Sequence, residues 1–192
     1  MAGAERQLAE HHDLYPLSEL YRGTGLPCPW CRRVPPDDLP EECRLLLVHM
    51  RGMTTTLARR YRQRIDLRVI RQAQSGDTLT RCITLRLSSN GRPVLLAGAR
   101  IWLRRLSASA QKAVVAGQEP FGAILVADRV AHRCQPQEYL EVVADSFIAT
   151  ELGLERGERV YARRSAVMAT SGVLAEVLEL MAERSMGILG DG

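Results

Sequence analysis

Between Thr78 and Leu87 the chain alternates: Leu79, Ile83, Leu85 and Leu87 fall on one side of an extended segment, Thr80, Cys82, Thr84 and Arg86 on the other. That period of two predicts a half-buried strand. Arg81 falls on the apolar side. A guanidinium stays charged at every physiological pH, so an inward arginine needs an anionic partner, either a protein carboxylate or a ligand. Near the end of the chain, Glu176 shares a face with Leu174, Leu178 and Leu180, while Glu179 lies with Val173 and Val177. From pattern alone, Arg81 and Glu176 are either a buried salt bridge or two walls of a polar pocket in an apolar core.

The same reading gives the other strands. Ile65–Ile70 is one, and Ser75-Gly76-Asp77 turns into the Arg81 strand. Asn90-Gly91 is a hairpin turn leading to a strand over Val94–Leu103. Arg159–Ala169 and Val173–Leu180 pair around Ser171-Gly172. In the first of these, Val160, Ala162, Ala166 and Met168 share a face with Arg164, a second inward arginine; Arg163 points away unless a bulge shifts the register. Ala123–Val126 reads as a short apolar strand fed by a turn at Pro120-Phe121-Gly122.

Helices are signalled by their ends. Asp38-Leu39-Pro40-Glu41-Glu42 puts an acidic cap and proline ahead of Leu45–Val48. Gly52 closes that segment, and Met53–Tyr61 follows as a second helix whose start either holds an anion or is an ordinary corner. Ser107 or Ser109 caps a helix through Val115, ended by Gly117. A helix is expected around 137–150, and a short one between 5 and 22. The sum is an α+β fold: a single antiparallel sheet of five or six strands with helices packed on one face. The main domain is expected over 38–184, after an N-terminal extension with a Pro/Cys loop (1–37) and before a frayed tail (185–192).

Composition narrows the classes. The 192 residues are 46% hydrophobic and 25% charged, as in ordinary globular domains. No apolar run nears the roughly 20 residues that span a bilayer, and the first residues lack a signal-peptide core. A cytoplasmic protein with no membrane partner is expected. The net charge of +4 favours anionic partners weakly, and the basic run Arg59–Arg64 has only Tyr61 as an aromatic. No nucleic-acid partner is expected, and a monomer is. The five cysteines suggest reduced thiols. Cys28 and Cys31 have zinc-ligand spacing, with Cys43 and His49 as further ligands; the alternative is a plain loop, and no metal or cofactor is expected.

An ordered set of motifs adds a resemblance. Leu45–Val48, Met53-Thr54-Thr55-Thr56-Leu57, Arg81-Cys82-Ile83-Thr84-Leu85, Gly91-Arg92-Pro93, the Pro-Phe-Gly-Ala-Ile-Leu of 120–125, Val160–Ser165 and Leu174-Ala175-Glu176-Val177 together resemble the chorismate lyase (chorismate–pyruvate lyase) family, over about 43–180. The resemblance implies a mostly antiparallel sheet with the ligand buried under two helical flaps. It also implies an enzyme that eliminates pyruvate from chorismate to leave 4-hydroxybenzoate, as in ubiquinone biosynthesis, without metal or organic cofactor. Arg81 matches the arginine that grips the ring carboxylate, and Met53 the flap methionine on the same ligand. Phe121 matches the turn residue whose main chain contacts the ligand, and Glu176 the carboxylate that meets the ring hydroxyl. Arg81 and Glu176 are thus the expected catalytic residues, and Arg164, with Arg163 in reserve, the cation for the second carboxylate.

Phe121 departs from the family's leucine, Ala162 from its glycine, and the Pro/Cys loop has no counterpart. Two other readings stay open. One is a lyase for an amino-substituted or isomeric chorismate. The other is a non-catalytic small-molecule-binding module, since a related fold serves as the effector-sensing domain of some transcription regulators. The stretch before the match is too short, and too poor in helical pattern, for a winged helix.

Overall fold

Long antiparallel ladders dominate because the strand-forming runs are joined by tight turns, as at Asn90-Gly91 and Ser171-Gly172. The computed structural model describes residues 14–21 and 27–182. Among these, seven strands form one sheet: β1 (Cys31–Arg33), β2 (Ile65–Ser75), β3 (Thr78–Leu87), β4 (Pro93–Trp102), β5 (His132–Val143), β6 (Arg159–Ala169) and β7 (Gly172–Ala182). The order is β1-β5-β6-β7-β4-β3-β2, and every pair is antiparallel. Two meanders, β2-β3-β4 and β5-β6-β7, are zipped together by β4 and β7, with Ala97 opposite Glu179 and Ala99 opposite Val177. The α+β class and single antiparallel sheet are as the pattern predicts, with seven strands where five or six are expected.

Five α-helices are described: α1 (Glu41–Leu47), α2 (Met53–Tyr61), α3 (Ala108–Ala116), α4 (Phe121–Ala127) and α5 (Ser146–Leu152). The first four cover one face of the sheet, where Leu47, Leu57, Val114 and Leu125 pack on Ile83, Leu95, Ile101 and Val167. On the second face, α5 and a 3-10 turn at Leu17–Leu20 cover Cys82, Leu96, Leu178 and Leu180. Leu14 and Leu17, from the stretch set apart as an extension, thus pack on the sheet's second face, and β1 is an edge strand of the sheet. The turn crosses the sheet directly over Gly98, where a Cβ would stand 2.7 Å from the Leu17 main chain. Only glycine permits that approach.

Two element assignments need correcting. Residues 120–127 are not a turn and strand but α4, because Phe121, Ile124 and Leu125 are buried at helical spacing while Val126 is exposed. A run of four apolar residues carries too little period to separate the two. Residues 137–143 are strand, not helix; the helix begins only at Ser146, where the Asp145 carboxylate accepts the Ile148 N–H at 2.8 Å. The glutamates of this stretch are tied to arginines of neighbouring strands: Glu138 to Arg33 and Arg164, Glu141 to Arg32 and Arg159. The helix expected between 5 and 22 and the tail 185–192 lie wholly or partly outside the described residues. No described helix is long and apolar enough to cross a membrane.

Candidate functional site

On the first face, the sheet carries small residues where four strands meet: Ala97 and Ala99 on β4, Val177 on β7 and Val167 on β6. Short side chains there, roofed by the starts of α2 and α4, leave a cavity of about 80 Å³. Arg81 enters it from β3, opposite Ala99. It is 2% exposed, and its Nε and Nη1 have no hydrogen-bond partner among the described residues. Burial alone pulls the guanidinium down to about 10, so it remains a cation at neutral pH. A charge in this position, with no counter-charge beside it, costs several kcal/mol. The fold carries it to the edge of this cavity.

The roof suits an anion too. Gly52 caps α2 without offering a side-chain acceptor, so the first-turn N–H groups of that helix have no side-chain partner. A Cβ on Gly52 or Gly122 would meet nothing within 4 Å, and both glycines line the cavity. At the other end stands Glu179. Its Oε2 accepts Arg163 Nε at 2.9 Å and Nη2 at 2.6 Å, and its Oε1 makes no hydrogen bond among the described residues. Arg163 is fully buried. Glu179 lies two strands from Arg81 and two residues along, so their Cα atoms are about 12 Å apart by sheet geometry. Cys134 also lines the cavity, but burial pushes its thiol up to about 11, which leaves it protonated and unreactive.

The structure therefore brings Met53, Arg81 and Phe121 together and leaves two expected partners out. Glu176 is a correction: it stands opposite Arg100 on β4, with Tyr15 and Arg100 as its electrostatic neighbours, on the sheet's second face. Arg164 is another: it bonds Glu138 at 2.9 Å, while Arg163 takes the cavity side. The reason is common to both. The sheet is buried on both faces, so sharing a face with leucines does not say which face holds the cavity. Glu179 and Arg163 were legible as candidates only through their opposite parity to Glu176 and Arg164.

Two other sites carry less. A larger open groove of about 290 Å³ on the second face is lined by Glu19, Thr80 and Arg100, whose polar groups answer one another or Tyr15. The zinc set is not assembled, since Cys31 belongs to the second-face core and Cys43 to the first.

No protein-family model and no curated protein matches this chain. Solved structures do. PhnF from Mycobacterium smegmatis matches with a TM-score of 0.58 at 12% identity, over 72% of this chain and 67% of that one. Its effector domain alone matches with a TM-score of 0.54 at 10% identity, over 69% and 89%. The ligand-binding domain of a GntR-family transcriptional regulator from Bordetella bronchiseptica gives 0.49 at 16%, over 62% and 83%. The likeness is one of fold, the chorismate lyase-like fold that such effector domains share. Two expectations are overturned. The lyase assignment falls because the fold is matched by an effector domain, that of PhnF, and because Arg81 and Glu176, its expected catalytic pair, lie on opposite faces. The expectation of no nucleic-acid partner is overturned as well, since PhnF, whose effector domain this fold matches, stands among transcriptional regulators.

Proposed function

We propose that this chain is a small-molecule-binding effector module whose cavity takes a small monoanion, a carboxylate above all. The observation that carries the reading is Arg81, buried at the edge of a cavity and without a counter-charge among the described residues. Arg163 and Glu179 neutralise each other, so one positive charge is left for the ligand. A planar guanidinium meets a carboxylate through two parallel N–H bonds, and the first-turn N–H groups of α2 add to the attraction. Glu179 Oε1, at the far end, accepts a hydroxyl or amino donor. The apolar lining, from Phe121, Leu95 and Val177 among others, suits a hydrocarbon body between the two polar ends. The fold it shares with effector domains supports a role in which occupancy is a signal.

Thermal unfolding of the chain with acetate, butyrate, benzoate or 4-hydroxybenzoate tests this. A ligand of the native state raises Tm by about 5 °C or more at a hundred times its Kd. The expected result is such a rise with at least one of these acids in wild type and none in Arg81→Met. No rise with any acid, or equal rises in both proteins, would overturn the reading.

A further inference from the structure

The cavity poses a problem of space. Its 80 Å³ is about half the 150 Å³ of a cavity that holds benzene, so a ring-sized ligand enters only if a wall moves. The floor is sheet. The roof is formed by the starts of α2 and α4, and α2 is reached through the connection from α1, residues 48–52.

That connection is not held by burying its side chains: Val48 is 39% and Met50 55% exposed. It is held by polar contacts, and those that reach it from the sheet come from Arg163 and Cys134. Arg163 Nη1 donates to the carbonyl of His49 at 2.9 Å and that of Leu47 at 3.3 Å, and lies 3.2 Å from His49 Nδ1. Among the described residues, the other bond to it from the sheet runs from the Cys134 N–H to the Met50 carbonyl at 3.2 Å. The other edge of the same guanidinium, Nε and Nη2, is spent on Glu179 Oε2. One fully buried side chain thus bridges the cavity's carboxylate and the segment that carries its roof.

We propose that Arg163 is a positioning residue that latches the 47–53 segment and couples its closure to what occupies the cavity. The coupling runs through Glu179. A ligand donor on the free Oε1 fixes the carboxylate, the fixed carboxylate holds Nε and Nη2, and Nη1 then holds the Leu47 and His49 carbonyls. An anion without a donor satisfies Arg81 but leaves Glu179, and so the latch, as before. Exposed Val48 and Met50 ride on the latched segment, so its order is visible at the surface. The second step rests on the ligand reading above; the latch itself does not.

Amide hydrogen exchange of the full chain separates the two. Without ligand, Arg163→Lys, which keeps the charge but cannot span both sites, is expected to speed exchange of the 49–53 amides about tenfold or more, with β3 and β4 amides unchanged. Glu179→Gln is expected to speed the same amides, and it serves if the lysine variant does not fold. With ligand, 4-hydroxybenzoate is expected to slow these amides in wild type more than benzoate does, and Arg163→Lys to lose that difference while still binding the acid. If the 49–53 amides exchange alike in wild type and the folded variants, the latch is wrong whatever binds. If the acids protect wild type and Arg163→Lys equally, the coupling is wrong. If no acid binds but the variants open the segment, the latch stands and the ligand reading fails.

Discussion

Arg81 and Glu179 face the same cavity from strands two apart, and among the described residues Glu179 has an ionic partner while Arg81 has none. A salt bridge made solely to hold the sheet would have placed the free cation beside a carboxylate. Here the sheet instead pairs Glu179 with a second arginine and leaves Arg81 facing space. The asymmetry costs stability in the empty protein, and a cost retained at one site marks it as functional.

That cost can be measured. Arg81→Met keeps an unbranched apolar stem and most of the volume of the side chain and removes the charge. It is expected to raise the stability of the ligand-free protein by about 1–3 kcal/mol, since replacing buried charge by apolar volume is often stabilising. Urea unfolding reads it as a higher midpoint at unchanged slope. A lower midpoint would mean that Arg81 holds the fold together and is no ligand anchor.

His49 sets a pH dependence. Burial first, and then the Arg163 charge, lower its imidazole to about 4, and its Nδ1 accepts the Arg51 N–H at 3.1 Å. The unfolded value is about 6.5. Between those two values the unfolded chain binds a proton that the native one refuses, so stability falls as pH drops from about 6.5 towards 4 and levels off below. The ring is partly exposed, which screens the effect and makes its direction the useful quantity. His49→Gln is expected to flatten this part of the urea midpoint profile between pH 7.5 and 4.5. Parallel profiles for the two proteins would contradict it.

Gly98 sets a limit on the second face. A methyl there meets the Leu17 main chain at 2.7 Å, and main chain cannot swing aside as a side chain does. Gly98→Ala is therefore expected to cost about 1–3 kcal/mol and to lift the 14–21 segment, exposing Leu17. Limited proteolysis within 14–21, faster in the variant than in wild type, checks it; equal rates would show that the segment is not seated by this contact.

Much of the architecture was legible because the turns are explicit. Asn90-Gly91, Ser107 and Gly117 fix the β3–β4 hairpin and both ends of α3, where Ser107 Oγ accepts the Ala110 N–H at 3.1 Å. Arg81 was legible as the odd polar residue in an alternating strand. What failed was the choice of face. On β7 the residues 176, 178 and 180 and the residues 177, 179 and 181 both meet buried layers, so the leucines beside Glu176 gave the same signal as a cavity would. Only the pairing Arg81–Ala99–Val177, made across β3, β4 and β7, assigns the odd positions to the cavity. Pairing between strands so distant in sequence is set by tertiary packing, which local pattern does not encode.

That assignment of faces makes the two glutamates separable by experiment. Glu176 stands opposite Arg100, beyond the sheet from Arg81, and its neighbours there are Tyr15 and Arg100. Neutralising it removes a charge from a partly exposed cluster, and such changes stay within about 0.5 kcal/mol. Glu176→Gln should therefore bind 4-hydroxybenzoate within about twofold of wild type. Glu179→Gln alters the group at the cavity's far end and should lose the preference for 4-hydroxybenzoate over benzoate. Isothermal titration of both acids against both variants gives the four affinities needed. A tenfold loss in Glu176→Gln with none in Glu179→Gln would reverse the faces and remove Arg81 and Glu179 from a common site.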